Sequence, residues 1–197
     1  MNTSILNARI HYMQRLYRSL LDTMARPGSI EQLEPYVYQA CPSEFQYVIG
    51  IAITLLDQEV SFYETSISKE LTPHLQLLTR STTKSLHESD YILVHKGTAP
   101  DLMEAKRGTD LYPDQSATII IQVSRISDDQ EGEVRLKLRG PGIKSEQMLS
   151  LDGLNRELLS ELLLNSGRFP LGLDWILVDD EGRVCCLPRS TKIVEEA

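Results

Sequence analysis

No apolar run in this 197-residue chain approaches the roughly 20 residues that a helix needs to cross a bilayer. The amino-terminal stretch also lacks the uninterrupted apolar segment of a secretory signal, because polar residues and Arg9, Arg15 and Arg18 break it up. A soluble, cytoplasmic protein without membrane contact is the expectation. Basic residues are in deficit: 20 Lys and Arg stand against 28 Asp and Glu, a formal net charge of -8. Binding a nucleic acid needs a clustered basic face to neutralise phosphates, so no nucleic-acid partner is expected. Cysteine is scarce. Cys41, Cys185 and Cys186 have neither the number nor the spacing of a disulfide framework or a zinc site. Adjacent residues of a strand point to opposite faces, so Cys185 and Cys186 cannot share a metal and read as small core residues.

Several catalytic signatures are missing as well. His11, His74, His87 and His95 are far apart and show no zinc-helix spacing, so no metal site is expected. There is no G-x-x-x-x-G-K loop, and Gly140-Pro141-Gly142 lacks the third glycine of a dinucleotide fingerprint. No G-x-S-x-G elbow occurs. Two S-x-x-K matches, Ser66 to Lys69 and Ser81 to Lys84, stand without their partner motifs and read as chance.

What the sequence does have is alternating helix and strand patterning. Ile10, Met13, Tyr17, Leu20, Leu21 and Met24 recur at helical spacing from Asn7 to Ala25, and Pro27-Gly28 ends that helix. A nearly all-apolar helix follows at Tyr47 to Leu56, with Ser43 and Gln46 fitting a capping box. Val60 to Thr65 reads as a strand, Thr72-Pro73 as the start of a helix, and Tyr91 to Val94 as the next strand. A brief helix is expected from Pro100 to Lys106. The continuous run within Ala117 to Val123 marks a central strand covered on both faces. Alternation over Val134 to Arg139 gives a strand with one wet face, expected to pair antiparallel with the preceding one across the turn Ser127 to Glu133. Asp152 is expected to open a helix with Leu154, Leu158, Leu162 and Leu163 on its buried stripe. Two apolar runs, Leu173 to Val178 and Val184 to Leu187, flank Asp179-Asp180-Glu181-Gly182 and read as a β-hairpin, with Glu195 to Ala197 frayed. One α/β domain spanning 1–197 is expected, a three-layer αβα sandwich with a mixed β-sheet.

Charged and hydroxyl residues at element ends form the candidate site: Arg18, Thr109, Arg139, Asp174, Arg189 and Thr191. Arginine beside a hydroxyl suits a phosphate or phosphonate, because its planar fork donates paired hydrogen bonds to two oxygens. Exposed side chains and ion pairs at strand ends remain an equal reading of the same residues.

Seven short stretches, in order, resemble the phosphonate metabolism protein PhnH family, the H subunit of the carbon-phosphorus lyase core complex. They are Tyr17 to Leu21 with Met24 and Pro27-Gly28; Thr54 to Asp57; Gly108-Thr109; Ser116 to Ile119; Leu138 to Ile143; Phe169 to Asp174; and Leu187 to Thr191. Tyr17 and Ser190 depart mildly from the family's common phenylalanine and threonine. The resemblance implies a fold similar to the large domain of pyridoxal-phosphate-dependent transferases without that cofactor, and a homodimer. It implies assembly with the G, I and J subunits, which displaces adenine from a nucleoside triphosphate and joins methylphosphonate to ribose C1. The product would be ribose 1-methylphosphonate 5-triphosphate. No lysine setting suggests a Schiff base, and the cysteines for an iron-sulfur cluster are lacking, so no cofactor is expected. The resemblance names no catalytic residue, and it leaves Arg139 and Arg189 as anion contacts. A stand-alone enzyme or binding protein for a phosphorylated small molecule, and a purely structural scaffold, are the competing expectations.

Overall fold

The computed structural model describes residues 3–38, 40–66, 69–129 and 131–196. Its frame is a seven-stranded mixed sheet in the order β1-β10-β9-β5-β4-β2-β3. The members are β1 (Glu31–Gln32), β2 (Ser61–Glu64), β3 (Thr82–Thr83), β4 (Tyr91–Val94), β5 (Thr118–Gln122), β9 (Asp174–Val178) and β10 (Arg183–Leu187). From β9 to β3 every pairing is parallel, whereas β10 pairs antiparallel with β9 and β1. β5 lies between β4 and β9, so both its edges are taken and both its faces buried, as its unbroken run of isoleucines requires.

Alternate residues of these strands feed two apolar clusters. Leu93, Ile120, Ile176 and Cys186 join Leu16 and Leu20 of α1 (Thr3–Ala25), most of α2 (Gln46–Leu55) and Leu75 of α3 (Thr72–Thr79). Ile92, Ile119, Trp175 and Cys185 face the opposite way. Cys185 and Cys186 thus sit on opposite faces, as the strand period demands, and burial pushes the Cys186 thiol up to about 12.

The second face differs from expectation. It is covered mainly by a four-stranded antiparallel sheet, β11-β7-β8-β6, with α4 (Arg156–Asn165) contributing Leu158, Leu159 and Leu162. The strands are β6 (Arg125–Ser127), β7 (Val134–Arg139), β8 (Gln147–Asp152) and β11 (Lys192–Glu195). The α/β class and the mixed sheet hold, but the second outer layer is built mostly of strands. The expected pairing of 117–123 with 134–139 is overturned, because both edges of β5 are occupied and β7 pairs with β8 and β11 instead.

Other boundaries move for local reasons. Ser43 opens a 3-10 turn, Ser43–Phe45, and makes no side-chain cap to α2. The expected brief helix is a 3-10 turn, Leu102–Glu104. Asp152 ends β8, and Asn155 caps α4 by accepting from the Leu158 N–H at 2.8 Å. Glu195 belongs to β11 rather than a frayed end, and the Glu196 N–H donates to Arg135 O at 2.8 Å; Ala197 lies outside the described residues. Among the described residues no helix is long and apolar enough to cross a membrane.

Gly142 ties α1 to the end of β7. Its φ is +82°, and a Cβ there would lie 2.1 Å from the Ala25 carbonyl oxygen. Gly142→Ala is therefore expected to cost about 3 kcal/mol in urea unfolding, from the clash and the strained backbone together.

Candidate functional site

The parallel strands end together on one side of the sheet, and a cavity of about 840 Å³ opens there. Ser66 follows β2, His95 and Lys96 follow β4, Gln122 ends β5, and Asp180 follows β9. Ser43, Glu44 and Phe45, from the turn before α2, close one wall. β2 has β3 on one side and β4 on the other, so the chain reverses its direction of travel across the sheet beside this opening. Crevices at the carboxyl ends of parallel strands, next to such a reversal, are where open α/β sheets bind ligands.

At the floor of the crevice lies a buried ionisable pair. Parallel register sets Glu64 opposite Leu93, which brings the end of β2 to the residue after β4. His95 Nε2 lies 2.9 Å from Glu64 Oε1, and the Glu64 side chain is fully buried. The carboxylate also accepts from the Leu71 N–H at 3.1 Å, the Thr72 N–H at 2.8 Å and the Thr72 hydroxyl at 2.6 Å. Those donors open α3, where the partial positive charge of a helix start favours an anion. Burial pushes the Glu64 carboxyl up, but the hydrogen bonds from His95, Thr72 and Leu71 outweigh it and hold the group below its usual range.

Beside an ionised Glu64, His95 Nε2 carries the shared proton, and in the neutral form of the ring Nδ1 is then the acceptor. Nδ1 has no hydrogen-bond partner among the described residues, and the ring lines the crevice. Further contacts position the His95 ring and its backbone. The Phe45 ring meets it edge-on, with centroids 5.0 Å apart. Its backbone N–H donates to Thr65 Oγ1 at 3.1 Å, and its carbonyl accepts from Thr98 Oγ1 at 2.7 Å. Chemically, this is a carboxylate-backed imidazole that presents one lone pair to whatever enters.

The residues singled out from sequence lie elsewhere. Asp174 begins β9 and Arg189 follows β10, so the pair stands at the amino end of β9, away from the crevice. The Arg189 backbone N–H donates to Asp174 Oδ1 at 2.8 Å, and its guanidinium forks onto both carboxylate oxygens and the Pro113 carbonyl. Pro113 belongs to the loop closed by mutual Thr109–Tyr112 backbone bonds of 3.1 and 3.0 Å, so Thr109 joins this cluster indirectly. Arg189 is thereby occupied as a clamp between the β9–β10 hairpin and that loop.

Arg139 pairs in register with Lys192, which places it beside Thr191 in the backbone; its exposed guanidinium bonds Glu146. The Thr191 hydroxyl is buried without a hydrogen-bond partner. Arg18 stands exposed on α1, with no ion pair among the described residues. Asp174 and Arg189 therefore meet, Thr109 approaches them through Pro113, Arg139 and Thr191 are neighbours, and Arg18 stands apart.

Sequence reasoning missed Glu64 and weighed His95 only as a metal ligand. A usable signal was present: polar residues follow directly on the apolar strand runs at Glu64, His95, Gln122 and Asp179-Asp180, where parallel strands deliver their ends to one edge.

A mixed seven-stranded sheet with a crevice at the carboxyl ends of its parallel strands places the protein in the α/β class. The particular family follows from comparison: a model of the bacterial phosphonate metabolism protein (PhnH) matches residues 5–194, and the chain belongs to that family. It is 33% identical over 188 residues to the Rhizobium meliloti (strain 1021) protein named alpha-D-ribose 1-methylphosphonate 5-triphosphate synthase subunit PhnH, covering 93% of this chain and 90% of that one. It is also 28% identical over 182 residues to the putative C-P lyase subunit protein HtxG of Stutzerimonas stutzeri, covering 91% and 85%. The resemblance carried by the seven motifs is borne out.

Proposed function

We propose that this chain is a subunit of the carbon-phosphorus lyase core complex in organic phosphonate catabolism. In this reading it is needed for transfer of methylphosphonate to ribose C1 of a nucleoside triphosphate with release of adenine. It works in the cytoplasm as a single-domain homodimer, with a fold similar to the large domain of pyridoxal-phosphate-dependent transferases, alongside the G, I and J subunits. The carrying observation is the family match over residues 5–194, together with a 33% identical relative named as a subunit of that synthase.

The surface supports an assembly role. Ile10, Tyr17 and Leu21 are 44%, 47% and 50% exposed along one side of α1. Tyr17, Leu21 and Met24 rim an apolar hollow of about 130 Å³ that reaches Leu55 and Tyr91. Contiguous exposed apolar surface of this kind marks protein contact. Arg18 lies on the same helix, and we assign it and Arg139 to contacts with partner subunits or to a shared site; Asp174, Arg189, Thr109 and Thr191 support the loops around them.

Deletion of the gene is expected to abolish growth on methylphosphonate while sparing growth on inorganic phosphate. The double variant Tyr17→Glu, Leu21→Glu is expected to keep its melting temperature within a few degrees and fail to restore growth. A folded double variant that restores growth fully would remove this face of α1 from the assembly.

A further inference from the structure

We propose that the crevice over Glu64 and His95 binds a small molecule that is rich in hydrogen-bond donors and carries no negative charge, an amino or hydroxyl compound rather than a phosphonate or phosphate. The inference goes beyond membership of the assembly, and it rests on the balance of groups that face the cavity.

Three observations converge on it. First, the cavity of about 840 Å³ is the size of a small-molecule site and lies where open α/β sheets place one. Second, acceptors prevail in its lining. Glu44 and Glu70 make no ion pair among the described residues, and Lys96 is held by Asp180. Gln122 spends an amide N–H on the Glu44 carbonyl at 2.9 Å. No arginine lines the crevice among the described residues; Arg139 and Arg189 are engaged elsewhere. An anion entering here would meet carboxylates without the guanidinium fork that recognises phosphoryl oxygens.

Third, His95 is only 8% exposed, yet its Nδ1 is unpartnered and its ring lines the cavity. With Nε2 committed to Glu64, this nitrogen accepts, so a ligand must donate to it. An acceptor that opens onto the crevice is matched by a hydroxyl or amine of the ligand. The Phe45 ring beside the imidazole gives the same ligand an apolar surface for its carbon skeleton.

The test is a titration of the full-length protein labelled in its histidine rings, followed by nuclear magnetic resonance, with His95 assigned by its loss in His95→Gln. D-ribose serves as the neutral polyol, ethanolamine as the cationic amino alcohol, and methylphosphonate and inorganic phosphate as the anions. Ribose or ethanolamine is expected to shift the His95 ring signals saturably at about millimolar concentration, while His11, His74 and His87 stay still. Glu70→Gln, at an exposed position, is expected to weaken ethanolamine severalfold and leave ribose unchanged, which separates the two chemistries without disturbing the buried pair. Saturable shifts from the anions alone, or no His95 shift with any of the four compounds, would overturn the proposal. Either result would leave the growth phenotype of the gene deletion untouched, so failure of the crevice and failure of the assembly reading are told apart.

Discussion

Glu64→Ala is expected to destabilise the fold by about 3 kcal/mol, the cost of leaving several buried hydrogen-bond donors without their acceptor. The change orphans the Leu71 and Thr72 donors at the start of α3 and frees His95 from its anchor. Urea unfolding measures the loss directly. Glu64→Gln separates charge from shape. With its oxygen towards Thr72 the amide keeps the two Thr72 donors, gives up the Leu71 N–H and offers His95 an N–H, so Nε2 must become the acceptor and Nδ1 the donor. The stability of the two proteins should then differ in its pH dependence. In the folded protein the carboxyl is held below its ordinary range, so the stabilisation is fully present above the unfolded value of about 4.3. It is lost as pH falls through the lower folded value. Unfolding curves collected across that acid range should fall more steeply for the parent than for Glu64→Gln. Equal slopes would show that Glu64 is not ionised in the folded protein.

Asp174→Ala is expected to cost about 3 kcal/mol, because Arg189 would keep its mostly buried guanidinium without its counter-charge. Arg189→Met removes the same clamp and also releases the Pro113 carbonyl. The double substitution should cost clearly less than the sum of the two, since the second change removes a group the first left unpaired. Additive costs would mean that the two residues do not act as a unit, and would return Arg189 to the anion-contact role read from sequence.

These two clusters show what the sequence made legible. The hairpin at 174–187 could be read because two apolar runs are bounded by Pro170, Gly172, Gly182 and Pro188, and Gly182 does take a φ of +85° in its turn. The burial of β5 followed from its unbroken isoleucines. β8 escaped because its alternation is short and ends in Asp152, which also resembles a helix cap. β1 and β3 have two residues each and exist only through pairing with β10 and β2.

The same physics separates the two candidate sites. Asp174 and Arg189 stand close in sequence, flanking one hairpin, and could be noticed together. Glu64 and His95 are 31 residues apart, and only the parallel register of β2 against β4 joins them. Neither belongs to a local motif, so only the topology of the sheet, which periodicity does not specify, reveals the pair.

The central claim is that this chain acts as a subunit. Its most direct test is gentle affinity purification of the tagged protein from its own cells growing on methylphosphonate as sole phosphorus source, with every retained protein identified by mass. The expected result is a stable, stoichiometric set containing the other subunits of the carbon-phosphorus lyase system. Recovery of this chain alone, with growth on methylphosphonate intact after its deletion, would contradict it.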